Sequence, residues 1–481
     1  MFKKLQILLM LLFIMVIVSL PILQAGFFSD DIVNSSGAGA MQLAHLNLWQ
    51  YTLMQVKGFC VGQGRILLDS FFNVPFFYYF QDPLGYQIVR VLCIWLSVAS
   101  GTWFVYLVTQ NKAASLLFIL LFPLCWSIED MSNALVSYGI MLQMLVLCIM
   151  LALCFFIKWL ENKKVAWFVG ALLMYGFALT LYEPGVIVFF GVGYLAWRAQ
   201  QSTQQYVLVM LPFILVSCIY LGVYHLLRQH GSYDGTTLGA MNAHAIMAFL
   251  YQLTGPIPLS YGLLRGHYLQ TKYLLPFFRN PWHSGLIVIL FMTAWMLFCR
   301  LLNQLVIPIK QRKLLIMMAI PFCVIPSLLM AVSIKYQAWL HWGFAYVPGY
   351  IQYIGMAFLL LYLLNKIKRF HRAVASVLSL ILCLGFMFNS ILVQQENSLF
   401  KYPRALDDQA LQAGLLNHFP ESGVLMTQDS WVNPAYLMQH TRRVIQVVPF
   451  TQQNIELYAS AVPLFLMVHR GDAVILQRVQ K

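Results

Sequence analysis

The sequence predicts an α-helical polytopic membrane protein that carries a small C-terminal α/β extracytoplasmic domain. The chain has 481 residues, of which 60% are hydrophobic and only 10% are charged, and this composition is typical of integral membrane proteins. Long apolar runs recur up to residue 393, and short β-branched runs replace them in the remainder of the chain. We therefore expect a membrane domain at 1–393 and an α/β domain at 394–481.

Eleven apolar runs are candidate membrane spans, and the first of them, at 5–23, is close to the roughly 20 residues that an α-helix needs to cross the hydrocarbon core. They cover residues 5–23, 89–108, 113–128, 140–157, 165–181, 186–197, 206–227, 285–302, 314–332, 350–364 and 373–393. We therefore expect about 11 transmembrane helices. The first run is expected to be retained, because its apolar core exceeds the roughly 7 to 15 residues of a signal peptide and "LQA" fits the cleavage pattern poorly.

The distribution of charge orients these helices. When Lys3 and Lys4 are placed in the cytoplasm, successive loops lie alternately outside and inside, so every later loop is assigned to one side. The inner loops then hold 15 basic residues and one acid, Glu161, whereas the other 15 of the 16 acids face outward. The positive-inside rule therefore predicts a cytoplasmic N-terminus, large outer loops at 24–88 and 228–284, and an outward C-terminal domain. This asymmetry also accounts for the net charge of +14, so we expect no nucleic-acid partner.

One predicted hairpin, built from the runs at 165–181 and 186–197, is short for two membrane crossings. Its turn is "LYEPG". Two short spanning helices would place Glu183 at or slightly below the outer membrane surface, where an ionisable group is expensive. A re-entrant loop with Glu183 capping a helix is the alternative.

The C-terminal domain shows the pattern of a small α/β fold. Its β-branched runs are "GVLMTQ", "RRVIQVV", "LFLMVHR" and "AVILQRV", which predict strands. The segments between them, "NPAYLMQH" and "QNIELYAS", are typical of helices. A domain this small buries only a modest core, so we expect it to lean on the outer membrane face.

Short outer turns of the chain concentrate acidic residues. Asp30 and Asp31 follow the first apolar run, Glu129 and Asp130 follow the third, and Glu183 occupies the hairpin turn. Charges at helix mouths are usually solvated ends, yet adjacent carboxylates repel each other and are costly in a chain with so few acids. We expect these acids to lie at the same membrane surface.

The remainder of the first outer loop predicts a surface helix that covers a site at the membrane edge, followed by a basic residue suited to a phosphate. The segment 41–59 mixes leucines with Gln and His, as in a helix that lies on the bilayer. In the following "GQGR", Gly62 and Gly64 permit a tight backbone and Arg65 presents a fork of donors that suits a phosphate. Arg65 would equally suit an interfacial anchor, and Asp69 is its simplest expected partner.

Together these features resemble the GT-C superfamily of multi-spanning glycosyltransferases, which take sugars from polyprenyl-phosphate carriers. The resemblance rests on the Asp30-Asp31 pair after the first span, the surface helix behind it, the acidic second outer turn and the C-terminal domain. Within that superfamily the chain is most similar to bacterial GtrII-type O-antigen glucosyltransferases, which carry an "SDD" in the first outer loop and a "GR" further on. Here those motifs are Ser29 to Asp31 and Gly64-Arg65.

The resemblance implies a GT-C-like fold in the bacterial inner membrane. It also implies transfer of a sugar from a polyprenyl-phosphate carrier to a cell-surface glycan or lipid acceptor, an O-antigen or lipopolysaccharide type of modification, on the periplasmic face. One of Asp30 and Asp31 would be the catalytic carboxylate, with Asp31 preferred, in an inverting displacement. The C-terminal domain would receive the acceptor glycan or order the outer loops as a cap.

The residues fit this chemistry independently of the family name. A sugar hydroxyl is a weak nucleophile, so its attack needs a carboxylate that accepts the proton. Glu129, Asp130 and Glu183 are candidates to support that carboxylate, the acceptor or a metal. The departing phosphate calls for fixed cations, and we expect two or three of the outer ones to contact it. The candidates are Arg65, Arg265, Lys272, Arg279 and Lys335, with His267, His283 and His341 as proton donors or metal ligands.

The sequence predicts no required cofactor. It contains no GxxxxGK[ST] phosphate loop, and a lipid-linked donor would need no nucleotide fold. The abundance of acids on one face is compatible with a divalent metal, although no ligand spacing demands one. Two other functions stay open: a transporter or flippase of lipid-linked sugars, and a noncatalytic polysaccharide-assembly subunit. A transporter should place charges deep within its spans, whereas here the ionisable residues cluster at loop ends.

Overall fold

A bundle of long apolar helices is joined to a layer of short helices and a four-stranded sheet. The computed structural model describes residues 2–28, 30–129, 135–199, 202–229, 237–265, 271–344, 346–427, 433–449, 451, 453–454, 464–470 and 473–478. The helices, in chain order, are α1 (Phe2–Gln24), α2 (Asp30–Asn34), α3 (Gly37–Leu43), α4 (Leu48–Lys57), α5 (Ser70–Tyr79), α6 (Pro83–Thr109), α7 (Lys112–Leu121), α8 (Met141–Asn162), α9 (Val165–Leu181), α10 (Ile187–Ala199), α11 (Thr203–Arg228), α12 (Ala243–Thr254), α13 (Ser260–Arg265), α14 (Thr271–Arg279), α15 (Pro281–Gln304), α16 (Ile309–Ala331), α17 (Ile334–Trp339), α18 (Gly349–Ile367), α19 (His371–Gln412) and α20 (Pro434–Thr441).

Each of the predicted apolar runs overlaps one helix, and the multi-pass helical architecture is confirmed. Seven segments of the described chain are long and apolar enough to cross a membrane. They are Leu5–Gln24, Pro83–Thr109, Met141–Asn162, Thr203–Arg228, Pro281–Gln304, Ile309–Ala331 and Gly349–Gln395. The last segment contains α18 and most of α19.

Three further apolar helices are shorter, so the count of 11 crossings stays a prediction. Helices α7, α9 and α10 have 10, 17 and 13 residues. A helix the length of α10 extends only about 20 Å, against a hydrocarbon core of roughly 30 Å. Two short crossings and a re-entrant hairpin both fit α9 and α10.

Loops that the sequence assigns to the cytoplasm meet at one end of the bundle. Asn111 Nδ2 donates to the carbonyl of Val306 at 2.9 Å. Asn365 Oδ1 accepts from the amide of Ile307 at 3.1 Å, and Lys368 Nζ donates to a neighbouring carbonyl at 2.6 Å. These contacts join the loops that follow α6, α15 and α18, as the predicted parity requires. The assignment of this end to the cytoplasm stays a prediction.

Close helix packing forms the core of the bundle. The largest helix interfaces join α8 to α9, α15 to α19, α16 to α18, and α6 to α8. Small residues allow the backbones to approach, as is common in membrane bundles. A Cβ atom on Gly101 of α6 would lie 2.7 Å from the ring of Phe118 in α7.

The predicted surface helix at 41–59 is divided into two helices, α3 and α4. The backbone of His45 is left-handed, with φ of 52°, and ends the first helix. Asn47 then begins α4 with a capping box, because its side chain accepts from the amide of Gln50 while the Gln50 side chain accepts from the amide of Asn47. This reciprocal cap supplies partners for backbone donors that a helix start leaves unsatisfied.

The C-terminal domain has the predicted strands. They are β1 (Ser422–Thr427), β2 (Val444–Pro449), β3 (Leu464–Arg470) and β4 (Ala473–Arg478), in the sheet order β2-β1-β3-β4. Strand β1 pairs in parallel with β2 and β3, whereas β4 is antiparallel to β3. The helix predicted for "NPAYLMQH" is confirmed as α20. Most of the segment "QNIELYAS", from residue 455 onward, lies outside the described residues. Helix α19 continues through the predicted boundary at 393 and joins the two parts of the chain.

The domain docks on the first outer loop through α20. Asn433 Nδ2 donates to Ser36 Oγ at 3.2 Å, and Gln439 Nε2 donates to Gln81 Oε1 at 3.1 Å. Gly39 of α3 lies so close to α20 that a Cβ atom would overlap the carbonyl of Ala435. The contact therefore depends on a glycine at this position.

We predict that Gly39→Ala loosens this docking, because backbone atoms of α20 cannot yield to the added methyl without shifting. The cost should be about 1–3 kcal/mol, as for other overpacked contacts. Hydrogen exchange of the amides at 434–441 measures the change, and faster exchange is expected. Gly37→Ala is the matched control, because a Cβ atom there would meet only the Tyr51 ring at 4.0 Å. Equal exchange in the two variants would contradict the packing described here.

Candidate active site

A cavity of about 390 Å³, here called the outer cavity, opens where the first outer loop meets the ends of the long helices. It brings together chain segments that are far apart in sequence. Its charged lining residues are Asp30, Arg65, Asp69 and Lys335. Its aromatic lining residues include Tyr138, Tyr182, Tyr336, Trp339 and Tyr346. Carboxylates, cations and aromatic rings therefore converge on one cavity.

The two adjacent aspartates have opposite environments. Asp30, at the start of α2, is exposed and lines the outer cavity. Asp31, one residue later on the helix, is fully buried. The protein around Asp30 partly excludes water, and this desolvation raises the pKa of its carboxyl above the ordinary 3.8, while the positive charge of Lys335 opposes the shift. Only the first carboxylate is accessible to a ligand in the cavity.

Several donors hold the carboxylate of Asp31. Arg90 Nη2 donates to Asp31 Oδ2 at 2.6 Å, the hydroxyl of Tyr86 donates to the same oxygen, and the amide of Gly139 donates to Oδ1 at 3.0 Å. Arg90 is itself fully buried, lies over the Tyr86 ring at 4.3 Å, and donates through Nε to the carbonyl of Gly139. Burial raises the pKa of Asp31, whereas Arg90 and the amide of Gly139 act in the opposite direction.

The turn that contains Gly139 is fixed by Asn73 of α5. Gly139 has φ of 56°, and a Cβ atom there would overlap Asn73 Oδ1. That oxygen accepts from the amide of Ile140 at 3.1 Å, while Asn73 Nδ2 donates to Asp69 Oδ2 at 2.9 Å. Burial raises the pKa of Asp69 to about 6, against the hydrogen bond from Asn73 and the charge of Arg65. The side-chain amide of Asn73 thus connects the turn at Gly139, beside Asp31, to Asp69, a second carboxylate that lines the outer cavity.

Arg65 is positioned by the glycine before it. Gly64 has φ of 65°, a conformation that suits glycine, and the amide of Arg65 donates to the carbonyl of Phe59 at 3.2 Å. Arg65 Nη2 forms an ion pair with Glu183 Oε2 at 3.0 Å. Its guanidinium also lies 5.5 Å from the ring centroid of Tyr182. The ion pair is therefore formed with Glu183, and Asp69, the partner expected from the sequence, instead accepts from Asn73.

Lys335 supplies the second cation. It lies in the first turn of α17 and lines the outer cavity. Its ammonium is 5.1 Å from the ring centroid of Trp339 and 5.6 Å from that of Tyr336, distances at which aromatic faces attract a cation. Its charge acts on the carboxyl of Asp30.

An apolar cavity of about 130 Å³ adjoins the outer cavity at Arg65. Arg65, Tyr182 and Tyr336 line both spaces. The remaining wall includes Leu329 and Met330 at the end of α16, Val332 just after it, and Glu183 beside Arg65. The guanidinium of Arg65 therefore stands between a polar chamber and an apolar one.

Other predicted site residues lie elsewhere. Glu129 is fully buried and does not line the outer cavity. Arg279 and His341 are exposed, while His283 stacks on Phe277 at a centroid distance of 4.5 Å. Asp130, His267 and the side chains of Arg265 and Lys272 lie outside the described residues. Among the residues that the structure describes, no group of three or more His, Cys, Asp or Glu side chains could hold a metal ion.

Sequence reasoning missed the partners of Asp31. Arg90 lies near the start of α6, inside a predicted apolar run. A lone arginine at such a position requires a buried counter-charge, and this signal pointed to an ion pair. Tyr86 and Gly139 carry no comparable signal, because an aromatic residue at a membrane interface and a glycine in a loop are both common.

Comparisons with known proteins identify the fold. No protein-family model and no curated protein matches the chain. The structure is similar to the crystal structure of ArnT from Cupriavidus metallidurans bound to undecaprenyl phosphate, with a TM-score of 0.51 and 11% sequence identity over 98% of this chain and 97% of that one. It is also similar to ArnT from the same organism in the apo state, with a TM-score of 0.52 and 11% identity over 99% and 98% of the two chains. The GT-C-like fold predicted from the sequence is thereby confirmed.

We predict that Asp31→Asn lowers the free energy of unfolding by about 3–5 kcal/mol, because it leaves the buried charge of Arg90 without a counter-ion. Asp30→Asn, at the adjacent and exposed position, should change it by less than about 0.5 kcal/mol. Thermal unfolding in one detergent compares the variants. Adding Arg90→Met to Asp31→Asn should recover part of the loss, since the uncompensated charge is removed. Equal midpoints for the two single variants would contradict the assigned role of Asp31.

Proposed function

We propose that this protein is a membrane glycosyltransferase that moves a sugar from a polyprenyl-phosphate carrier to a cell-surface glycan or lipid acceptor. The observation that carries this proposal is the outer cavity, in which the accessible carboxylate of Asp30 shares a wall with the cations Arg65 and Lys335. The fold adds support, because ArnT, to which the chain is similar over nearly its whole length, has been crystallised with undecaprenyl phosphate.

Arg65 and Lys335 bind the phosphate of the donor in this proposal. Arg65 borders the apolar cavity as well as the outer one, so a phosphate there leaves the first units of the carrier chain against Leu329 and Met330. A guanidinium offers two parallel donors to phosphate oxygens, and an ammonium adds a point charge. Glu183 holds the guanidinium in place at 3.0 Å.

Asp30 is the general base of the proposed reaction, and Asp31 is a positioning residue. The sequence favoured Asp31, but its carboxylate is buried and already accepts from Arg90, Tyr86 and Gly139. Asp30 is accessible and faces the cavity. The ion pair beneath it fixes α2 and therefore the position of the base.

The reaction is a direct displacement. Asp30 accepts the proton of the acceptor hydroxyl as its oxygen bonds to the anomeric carbon of the sugar. The bond from that carbon to the phosphate oxygen breaks on the opposite side, which inverts the anomeric configuration. Polyprenyl phosphate leaves with the bonding electrons, and Arg65 and Lys335 stabilise its additional negative charge. Because two side-chain cations supply this stabilisation, we propose that no metal is required.

We infer the cellular setting from the charge distribution and the sequence resemblance. The excess of Lys and Arg in alternate loops supports a location of the outer cavity on the periplasmic side of the bacterial inner membrane. The resemblance of the sequence motifs to those of GtrII-type enzymes supports the proposal that the acceptor belongs to O-antigen or lipopolysaccharide. The C-terminal domain, docked beside the cavity through α20, lies where an acceptor glycan would arrive.

We predict that membranes containing the wild-type protein transfer labelled sugar from polyprenyl phosphate, and that Asp30→Asn lowers the rate by about 10²- to 10⁴-fold through loss of the base. Protein levels are matched by immunoblot, and the thermal midpoint of the variant should equal that of the wild type. Undiminished transfer by Asp30→Asn would remove this residue from the chemistry. Absence of transfer by the wild type across several sugars and acceptors would favour a transporter or an assembly subunit.

We also predict a pH dependence with a defined sign. Transfer requires ionised Asp30, so the rate should fall as the pH decreases through the raised pKa of this carboxyl. Lys335→Gln removes the charge that opposes the shift, so the pKa should rise further and the acidic limb of the rate profile should move to higher pH. Arg279→Gln, which removes an exposed cation of α14, should leave the limb in place. An unchanged limb in Lys335→Gln would contradict the assignment of Asp30 as base.

A further inference from the structure

A third cavity, of about 340 Å³, lies between the first outer loop and the C-terminal domain, and we call it the tail cavity. Asn433 and Ala435, at the start of α20, contribute to its wall. Its volume lies within the range of roughly 300–1,000 Å³ that is usual for small-ligand sites. The docking of α20 on α3 therefore closes a space large enough for a ligand.

The tail cavity and the outer cavity share one wall. Asn34, Phe59, Asp69 and Asn73 line both spaces. A molecule in the tail cavity would therefore lie directly behind residues that also face the proposed donor site. Asp30, on the first turn of α2, borders only the outer cavity.

The chemistry of the two cavities differs. None of the described residues that line the tail cavity is Lys, Arg or His, whereas the outer cavity contains two cations. The tail cavity instead offers the amides of Asn34 and Gln55 and the aromatic rings of Tyr51 and Phe77. Amides both donate to and accept from hydroxyls, and aromatic rings present large apolar faces. This lining suits a neutral ligand rich in hydroxyl groups and is unsuited to a phosphate.

Asp69 carries an unused acceptor in the shared wall. The residue is only 8% exposed, and Oδ2 accepts from Asn73 Nδ2 at 2.9 Å. Oδ1 is buried and has no hydrogen-bond partner among the described residues. An unsatisfied buried carboxylate oxygen is unfavourable, and a ligand hydroxyl in the adjacent space would satisfy it.

We infer that the tail cavity binds a neutral sugar of the acceptor, with one sugar hydroxyl donating to Asp69 Oδ1. This inference rests on the proposed transferase function and names the acceptor side of the same site. The bound sugar directs a further hydroxyl past the shared wall toward Asp30. Binding of the acceptor thereby requires the docked C-terminal domain, because α20 closes the cavity.

Two binding measurements on the detergent-solubilised full chain test this inference separately from the donor site. Saturation-transfer NMR follows neutral trisaccharides of glucose, mannose and rhamnose, and thermal shift follows undecaprenyl phosphate. Ala40→Phe fills the tail cavity from α3, since Ala40 lines this cavity and not the outer one. Gln42→Phe is the matched control, because Gln42 is exposed on the same helix outside the cavity.

We expect at least one trisaccharide to bind the wild type and Gln42→Phe equally. Ala40→Phe should weaken that binding by about tenfold or more, which corresponds to about 1.4 kcal/mol, while undecaprenyl phosphate still stabilises the protein. Asp69→Asn, which keeps the shape of the side chain, should weaken trisaccharide binding in the same direction through loss of a charged acceptor.

Several outcomes would overturn the inference. No trisaccharide binding to the wild type, equal binding to Ala40→Phe, or a parallel loss of undecaprenyl phosphate binding in Ala40→Phe would each remove the tail cavity as a sugar site. Trisaccharide binding without any stabilisation of the wild type by undecaprenyl phosphate would have a different meaning. That result would support the sugar site and contradict the proposed donor.

Discussion

The buried ion pair between Asp31 and Arg90 is the interaction on which the candidate site depends. It joins the first outer loop to α6, and both partners bind Gly139, so a third segment of the chain is held at the same point. Both side chains are fully buried, and a charge in such a place is tolerated only when it is paired and hydrogen-bonded. This requirement fixes α2 in one position. Asp30, one residue earlier, is thereby presented to the outer cavity without using its own carboxylate for structure.

A similar division of roles applies to the cations and acids around the cavity. Glu183 orients Arg65, and Asn73 links Asp69 to the turn at Gly139 and Ile140. Polar groups that take no part in the proposed reaction thus set the positions of the charged groups that face the cavity. Such preorganisation is how enzymes limit reorganisation during a reaction. The apolar cavity, the outer cavity and the tail cavity adjoin through Arg65 on one side and Asp69 on the other. Carrier lipid, reacting sugar and acceptor can be arranged in that order.

The sequence was informative wherever one physical rule dominates. Hydrophobic length located the long helices, and β-branched runs located the four strands, because burial in lipid or in a sheet leaves a clear periodic pattern. The aspartate pair, Arg65 and Lys335 were visible as charges that an apolar chain would otherwise avoid. What could not be predicted depends on contacts between distant segments. Local sequence does not show that Asp31 is buried while Asp30 is exposed, or that Arg65 pairs with Glu183. Asp31 and Arg90, like Arg65 and Glu183, are separated by about 60 to 120 residues.

In the proposed reaction, the donor phosphate, both cations and Asp30 meet in one cavity. An experimental structure of Asp30→Asn with a bound polyprenyl-phosphate sugar, determined by electron cryomicroscopy, tests it most directly. We expect the phosphate within hydrogen-bonding distance of Arg65 and Lys335, the carrier chain beside Leu329, and the anomeric carbon facing residue 30. A phosphate bound outside the outer cavity, or a sugar that faces away from residue 30, would contradict it.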